Sequence, residues 1–174
     1  ALLLEFPDDF TVQNVGMEYM LGESLLVAPI FDQDDLRVYL PQGQWACLRT
    51  GEFTSGGRWV RPENTLENIP VYLRENTAVP MRSEDVLWSE KNYEDLTVLL
   101  NISGCVDQTF YDDGVEYRFR AVLQGERALV ETNLPVKALK IYAQSPITGA
   151  VLNGKALSVQ KVSPAITVAC AEKG

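Results

Sequence analysis

The stretch that decides the fold is residues 108–120, QTFYDDGVEYRFR, in which two alternating runs flank Asp112-Asp113-Gly114. Asp-Gly between alternating runs is a strong signal for a tight hairpin, because its left-handed turn matches the twist of the flanking strands. Asn153-Gly154 repeats this signal between Gly149–Leu152 and Lys155–Val159. The second half of the chain is therefore predicted to consist of hairpin-connected antiparallel strands.

Working outward from these hairpins, short apolar or alternating runs between turn residues cover most of the chain. They are residues 24–31, 36–40, 45–48, 59–60, 69–74, 77–80, 95–102, 127–132, 136–143 and 165–169. Strands spaced by about eight to twelve residues are typical of β-sandwiches. Because residues 81–93 are charged and irregular, they mark a domain boundary. The predicted fold is mainly all-β, with two small antiparallel β-sandwich domains at residues 23–82 and 83–174.

The first 22 residues are predicted to form a separate segment. Ala1–Phe6 is an apolar run, typical of a strand buried on both faces of a parallel sheet. No later segment offers a parallel neighbour, so we interpret the run as an orphaned barrel strand at the tail of a larger protein. The alternative is a chain that simply starts on an antiparallel strand. Residues 14–21 are predicted to form one short helix, which ends at Gly22 with positive φ.

The composition excludes several classes of partner and of catalytic site. Hydrophobic residues make up 46% and charged residues 22% of the 174 residues, as in globular proteins. The net charge is -9, so partners among nucleic acids are not expected. No apolar run approaches the roughly 20 residues that span a bilayer, and no membrane partner is expected. Histidine is absent, which excludes Ser-His and Cys-His catalytic pairs and histidine-type zinc sites.

The three cysteines, Cys47, Cys105 and Cys170, lie far apart and are odd in number. They are interpreted as buried thiols on strands rather than as a disulfide framework. A reducing, cytoplasmic location follows as the default expectation.

Carboxylates are the abundant candidates for chemistry. A glycosidase needs two carboxyl groups roughly 5–10 Å apart across the sugar. The adjacent pairs Asp8-Asp9, Asp34-Asp35 and Asp112-Asp113 each lie beside a turn signal, where Asp caps backbone amides. No catalytic residue is therefore assigned. Asp8-Asp9 is the more open case, because it follows the predicted barrel strand and such loops line active sites. The sequence has no phosphate-loop or dinucleotide motif and no calcium-loop spacing, so neither a cofactor nor a metal is predicted.

Aromatic side chains leave two interpretations open. They are Trp45, Trp59 and Trp88 together with Tyr39, Tyr72 and Tyr111. Aromatic residues on strands are most often sandwich core, but they also form the sugar-stacking surface of carbohydrate-binding modules. A protein-interaction sandwich without a sugar role is a third interpretation.

Several motifs resemble glycoside hydrolase family 31. Residues 3–9, LLEFPDD, and 18–31, EYMLGESLLVAPIF, are similar to the segment that joins the barrel to the C-terminal domains in that family. Four further segments resemble the proximal β-sandwich of the family. They are residues 38–45 (VYLPQGQW), 50–52, 56–59 and 69–76 (IPVYLREN). Residues 111–114, YDDG, are similar to a turn of its distal sandwich. The resemblance is specific to about Pro80 and rests on strand order beyond it.

The resemblance implies a function for the whole protein rather than for this chain alone. The family contains retaining α-glucosidases and α-xylosidases, whose (β/α)8 barrel carries an Asp nucleophile and an Asp acid/base upstream of the position of Ala1. The implied role is a non-catalytic C-terminal scaffold of an enzyme that hydrolyses α-linked sugars. Its implied partners are the barrel and, through it, a carbohydrate substrate. Phe6, Asp8 and Asp9 are expected at the edge of the substrate cleft. The alternative is a free-standing carbohydrate-binding β-sandwich module.

Overall fold

The computed structural model describes residues 1–29, 37–62, 69–82 and 96–170. Strands dominate these ranges, and the predicted all-β class is confirmed. No helix in the described part of the chain is long and apolar enough to cross a membrane. The predictions for Asp34-Asp35, for Trp88 and for the boundary at residues 83–93 lie outside the described residues.

The chain divides into two compact units, Ala1–Glu75 and Asn76–Gly174. The predicted boundary at residue 82 stays a prediction, but the strand that precedes it belongs to the second of these units. Thr77–Met81 pairs with Leu96–Asn101, so its hydrogen bonds lie within the second unit.

The first unit contains two short helical turns and seven strands of three or four residues. They are α1 (Leu2–Glu5), a 3-10 helix (Phe10–Asn14), β1 (Tyr19–Leu21), β2 (Leu25–Val27), β3 (Val38–Leu40), β4 (Gln44–Cys47), β5 (Phe53–Ser55), β6 (Arg58–Val60) and β7 (Val71–Arg74). An antiparallel sheet has the order β1-β2-β7-β4-β5. The strands β3 and β6 form a separate antiparallel pair.

The predicted barrel strand at Ala1–Phe6 is wrong, because Leu2–Glu5 is one turn of helix. Leu2 is fully buried, whereas Leu3 is 44% and Leu4 82% exposed, so the run is buried on one side. The Phe6 N–H donates to the Leu2 carbonyl over 2.9 Å. Within the described ranges no strand pairs with this run, and a helical turn satisfies its backbone groups locally instead.

The predicted helix at residues 14–21 is also wrong. A 3-10 helix occupies Phe10–Asn14, and β1 follows it at Tyr19–Leu21. In the extended conformation β1 pairs with β2, with Leu21 opposite Leu25. Gly22 has the expected positive φ of 62°, but it turns a hairpin rather than ending a helix. Apolar spacing over so few residues fits a short helix and a short strand equally well.

Trp45 anchors the core of the first unit. Its side chain is fully buried, and its Nε1–H donates to the Pro41 carbonyl over 2.8 Å. Residue 56 must be a glycine for the backbone to approach this carbonyl, because a Cβ there would lie 1.7 Å from the Pro41 oxygen. The core also contains Leu26 and Leu40. Trp45 is therefore a core residue, as strand aromatics usually are.

The second unit has longer strands in one nine-stranded sheet. They are β8 (Thr77–Met81), β9 (Leu96–Asn101), β10 (Cys105–Asp112), β11 (Val115–Gln124), β12 (Arg127–Thr132), β13 (Val136–Tyr142), β14 (Gly149–Leu152), β15 (Lys155–Lys161) and β16 (Ile166–Cys170). The order is β10-β11-β12-β14-β15-β16-β13-β9-β8. Six of the eight strand pairings are antiparallel, as predicted, whereas β12 with β14 and β13 with β9 are parallel.

Both predicted hairpin turns are confirmed. Asp112 pairs with Val115 around Asp113 and Gly114, which have φ of 47° and 80°. Leu152 pairs with Lys155 around an Asn-Gly turn whose φ values are 48° and 79°. Two successive positive φ values define a type I′ turn. These hairpins direct alternate side chains inward, and Phe119 and its neighbours form one buried core.

Candidate functional site

The residues predicted to border a substrate cleft come together in the first unit. Phe6, Asp8 and Asp9 line an open groove of about 560 Å³. The other lining residues are Glu5, Pro7, Phe10, Thr11, Tyr39, Gln42 and Gly57. The groove is thus formed by the loop after α1 together with β3 and the turns at Gln42 and Gly57.

Asp9 holds the loop of this groove in place. Its Oδ1 accepts from the Thr11 N–H over 3.0 Å and so caps the 3-10 helix. Its Oδ2 accepts from the Tyr39 hydroxyl over 2.7 Å. Burial and then the Asp9 carboxylate raise the pKa of Tyr39, which keeps this hydroxyl a donor. Asp8 is exposed. The two neighbours therefore differ in role, with Asp9 structural and Asp8 facing solvent.

Phe6 forms the apolar end of the groove. Its ring centroid lies 6.3 Å from that of Trp45, with a tilt of 60°. The Arg74 guanidinium lies over the ring, with Cζ 5.1 Å from the centroid. Phe6 is partly buried by these contacts. The start of the chain is thus attached to the core of the first unit through its aromatic ring.

Glu18 is the residue that the sequence reasoning missed. Its side chain is buried, and Oε1 accepts from the Tyr39 N–H over 2.7 Å. Its Oε2 is also buried and has no hydrogen-bond partner. Burial raises the pKa of Glu18 to about 7, although the bond from Tyr39 N–H lowers it. A single glutamate in an apolar neighbourhood carries no sequence signal, because its contact with β3 joins elements of two separate sheets and depends on tertiary packing.

Asp9 is a structural acceptor in this groove, because both of its oxygens are occupied by bonds within the chain. The exposed polar side chains that line the groove are Glu5, Asp8 and Gln42, and they suit hydrogen bonds to hydroxyl groups. Among the described residues no group of three or more Cys, Asp or Glu side chains could hold a metal ion.

The other candidates stay apart from the groove. Asp112 ends β10 and Asp113 lies in the hairpin turn, as the turn interpretation predicts. The three cysteines are free thiols. Cys47 and Cys170 are partly buried, but Cys105 is exposed, which corrects the prediction of a buried thiol there. Cys105 begins an edge strand, and its side chain is on the outward face of the sheet.

The core interpretation and the sugar-stacking interpretation apply to different tryptophans. Trp45 is core and cannot contact a sugar. Trp59 is 44% exposed, so a surface role is open to it. Of the tyrosines, Tyr39 and Tyr72 are buried, whereas Tyr111 is exposed.

Comparison with known proteins agrees with this structure. The model of the glycosyl hydrolase family 31 C-terminal domain matches residues 1–79. This part of the chain is a family 31 C-terminal domain. The match ends at β8, so it covers the groove, α1 and the whole first unit.

Relatives of this chain include an alpha-glucosidase and an alpha-xylosidase. The lysosomal alpha-glucosidase of Bos taurus is 31% identical over 134 residues, which is 65% of this chain and 14% of that protein. The alpha-xylosidase of Saccharolobus solfataricus is 30% identical over 123 residues, or 68% of this chain and 17% of that protein. The chain thus spans about one sixth or less of the length of these relatives.

A solved structure extends the likeness of fold beyond the family 31 domain. The cycloalternan-forming enzyme from Listeria monocytogenes superposes with a TM-score of 0.77 and 22% identity. The superposition covers 98% of this chain and 19% of that enzyme. At this identity the likeness shows the fold alone, and it includes the second unit.

Proposed function

We propose that this chain is the non-catalytic C-terminal scaffold of a retaining α-glycosidase of the α-glucosidase or α-xylosidase type. In this proposal a (β/α)8 barrel of the same protein carries the chemistry on an α-linked sugar. The observation that carries the proposal is an apolar surface at the start of the first unit. The size of the relatives supports it, because the chain spans only 14% of the bovine enzyme.

This N-terminal apolar surface consists of six exposed side chains, Leu3, Leu4, Phe10, Met17, Tyr19 and Leu21. They are six of the thirteen large hydrophobic side chains that are exposed among the described residues, yet they fall within 19 residues of sequence. Five of them lie on α1, the 3-10 helix and β1, and Met17 lies in the bend between the last two elements. The α1 helix packs against both the 3-10 helix and β1. A contiguous apolar surface on a folded domain marks a contact with another protein surface. We assign it to the barrel.

The groove has a place in the same proposal. Phe6, Asp8 and Asp9 directly follow α1, whose outer side chains belong to the N-terminal apolar surface. A barrel seated there would bring its loops next to the groove, and Asp8 and Gln42 would then face the substrate cleft. Their role would be to bind sugar hydroxyl groups, while the nucleophile and acid/base would come from the barrel.

The first experiment compares activities on chromogenic α-glucoside and α-xyloside substrates. It uses the 174-residue chain and the full-length product of its gene. We expect hydrolysis by the full-length protein only, and the preferred substrate then identifies the enzyme type. Hydrolysis by the chain alone would overturn the proposal, as would a gene that encodes only these 174 residues.

The second experiment tests the surface itself. Leu4→Asp and Phe10→Asp are introduced into the full-length protein and into the 174-residue chain, with Val162→Asp as the control at an exposed residue of the second unit. In the full-length protein we expect the first two variants to lower thermal stability and activity. In the chain alone they should reduce self-association, because they remove exposed apolar area. Equal effects of all three variants would contradict the assigned surface.

A further inference from the structure

A second cavity of about 580 Å³ lies in the first unit, along β6. Its volume is within the usual range for small-molecule sites, about 300–1,000 Å³. The rest of the wall comes from the segment between β4 and β5, from residues 61–62 and 69–70, and from parts of β4, β5 and β7. The side chains that decide its chemistry are Arg49, Arg58, Arg61, Glu52 and Trp59.

Trp59 supplies an aromatic wall. Its ring is held by Tyr39, with centroids 5.4 Å apart and a tilt of 57°, and by the Arg37 guanidinium, with Cζ 5.4 Å from the centroid. Even with these contacts, 44% of the side chain is exposed. A tryptophan that is fixed in position and still accessible is suited to bind the apolar face of a ring.

The charge of the cavity is opposite to that of the chain. Three guanidinium groups and one carboxylate line it, whereas the whole chain has a net charge of -9. The Arg58 Nε–H donates to the Ser55 carbonyl over 3.0 Å, which orients that guanidinium. Arginine binds carboxylate and phosphate groups through parallel hydrogen bonds. The sequence scatters these arginines over residues 49–61, and the strands bring them together.

We propose that this cavity binds an anionic sugar, whose carboxylate or phosphate contacts the arginines while its ring lies against Trp59. The guanidinium groups favour an anion over a neutral sugar. The tryptophan, together with the Thr50 and Thr54 hydroxyls and Glu52, favours a ring with hydroxyl groups over a bare anion. The inference goes beyond the scaffold role and holds with or without a barrel.

Isothermal titration calorimetry of the 174-residue chain tests this inference. The ligands are glucuronate and glucose 6-phosphate, with glucose, acetate and inorganic phosphate as comparisons. We expect at least one anionic sugar to bind about tenfold or more tightly than glucose and than its bare anion. Which of the two sugars binds more tightly identifies the anionic group as carboxylate or phosphate.

Variants then locate the binding. Arg61→Gln and Trp59→Ala should each weaken the binding of that sugar about tenfold or more. Arg120→Gln is the matched control, because Arg120 is an exposed arginine of the second unit. Circular dichroism confirms that each variant is folded, and Trp59→Phe, which retains an aromatic ring, should recover part of the affinity.

Three results would overturn the inference. The first is that glucose, inorganic phosphate or acetate binds as tightly as the anionic sugars. The second is that no ligand binds at 20 mM, a concentration above the roughly millimolar dissociation constants of weak specific sites. The third concerns the control variant. Binding that Arg120→Gln weakens as much as Arg61→Gln would place it elsewhere on the chain.

Discussion

The two units of this chain reach a folded state by different means. Strands of the first unit have three or four residues, whereas those of the second have four to ten. Six exposed apolar side chains of the first unit fall within residues 3–21, and the Glu18 side chain of the same unit is buried. The second unit is closed by two type I′ hairpins and carries ion pairs such as Arg120–Asp107 on its outward face. Eight of the thirteen exposed large hydrophobic side chains among the described residues therefore belong to the first unit, and five belong to the second.

The largest expected effect tests the independence of the second unit. Phe119 is fully buried in its core, and Phe119→Ala should cost about 3–5 kcal/mol of unfolding free energy through the cavity it leaves. Hydrogen exchange should then rise across β9–β13 while β2, β4 and β7 keep their protection. Tyr111→Ala, at an exposed position of β10, serves as the control. Loss of protection in both units together would show that they unfold as one cooperative unit, and it would contradict the independence of the second unit.

The next effect concerns the buried carboxyl group of the first unit. The pKa of Glu18 is about 7 in the folded chain against an ordinary 4.5, so between these pH values the folded state holds a proton that the unfolded state has released. Stability contributed by the protonated group is present below about pH 4.5 and is lost as the pH rises to about 7. Glu18→Gln retains an oxygen for the Tyr39 N–H and should add about 1–3 kcal/mol at pH 8.

Urea unfolding between pH 4 and pH 8 measures this effect. In the Glu18→Gln variant the fall in stability of the first unit over this range should be smaller. The control is Glu126→Gln, at an exposed position of the second unit. An unchanged pH dependence in Glu18→Gln would show that another group titrates.

A smaller effect tests the hairpins that close the second unit. Gly114 has φ of 80°, and Gly114→Ala should cost about 1–2 kcal/mol because L side chains are strained there. Gly104→Ala is the matched control, since that glycine has ordinary φ and open space at its Cβ position. Thermal unfolding of both variants gives the difference. Equal melting temperatures would show that the turn does not depend on the left-handed conformation.

The smallest effect concerns the groove. Tyr39→Phe removes the donor to Asp9 Oδ2 and should cost the first unit about 1 kcal/mol, the usual net value of such a bond. Asp9→Asn retains an acceptor for Thr11 N–H and should cost no more. Urea unfolding measures both. A loss above about 3 kcal/mol in Tyr39→Phe would mean that the hydroxyl supports more than the loop after α1.

Sequence patterns predicted the second unit better than the first. The bounds of β12 and β14 agree with the structure, and both hairpin turns are where Asp-Gly and Asn-Gly place them. In the first unit α1 and β1 were assigned the opposite type of structure. A long alternating run predicts a strand by itself. The secondary structure of a run of three to five residues depends instead on the segments with which it can pair.

The candidate site was likewise predicted from the sequence only in part. The resemblance to family 31 implies that Asp8 and Asp9 border a substrate cleft, and this stays a prediction. In the structure both residues line an open groove. The bonds of Asp9 to Tyr39 and of Glu18 to the Tyr39 backbone join residues that are 30 and 21 positions apart. Such contacts depend on strand order, which local residue preferences do not specify.

The sequence by itself determined the all-β class, the hairpin turns and the resemblance to family 31, because these depend on residue type and short-range spacing. Tertiary structure alone decided that Leu4 is exposed while Leu2 is buried, that Glu18 is shielded from water, and that three scattered arginines line one cavity with Trp59. The physical reason is that burial and electrostatic environment arise from long-range packing. A residue's own identity sets what it can do, but its neighbours in space determine which of these properties it shows.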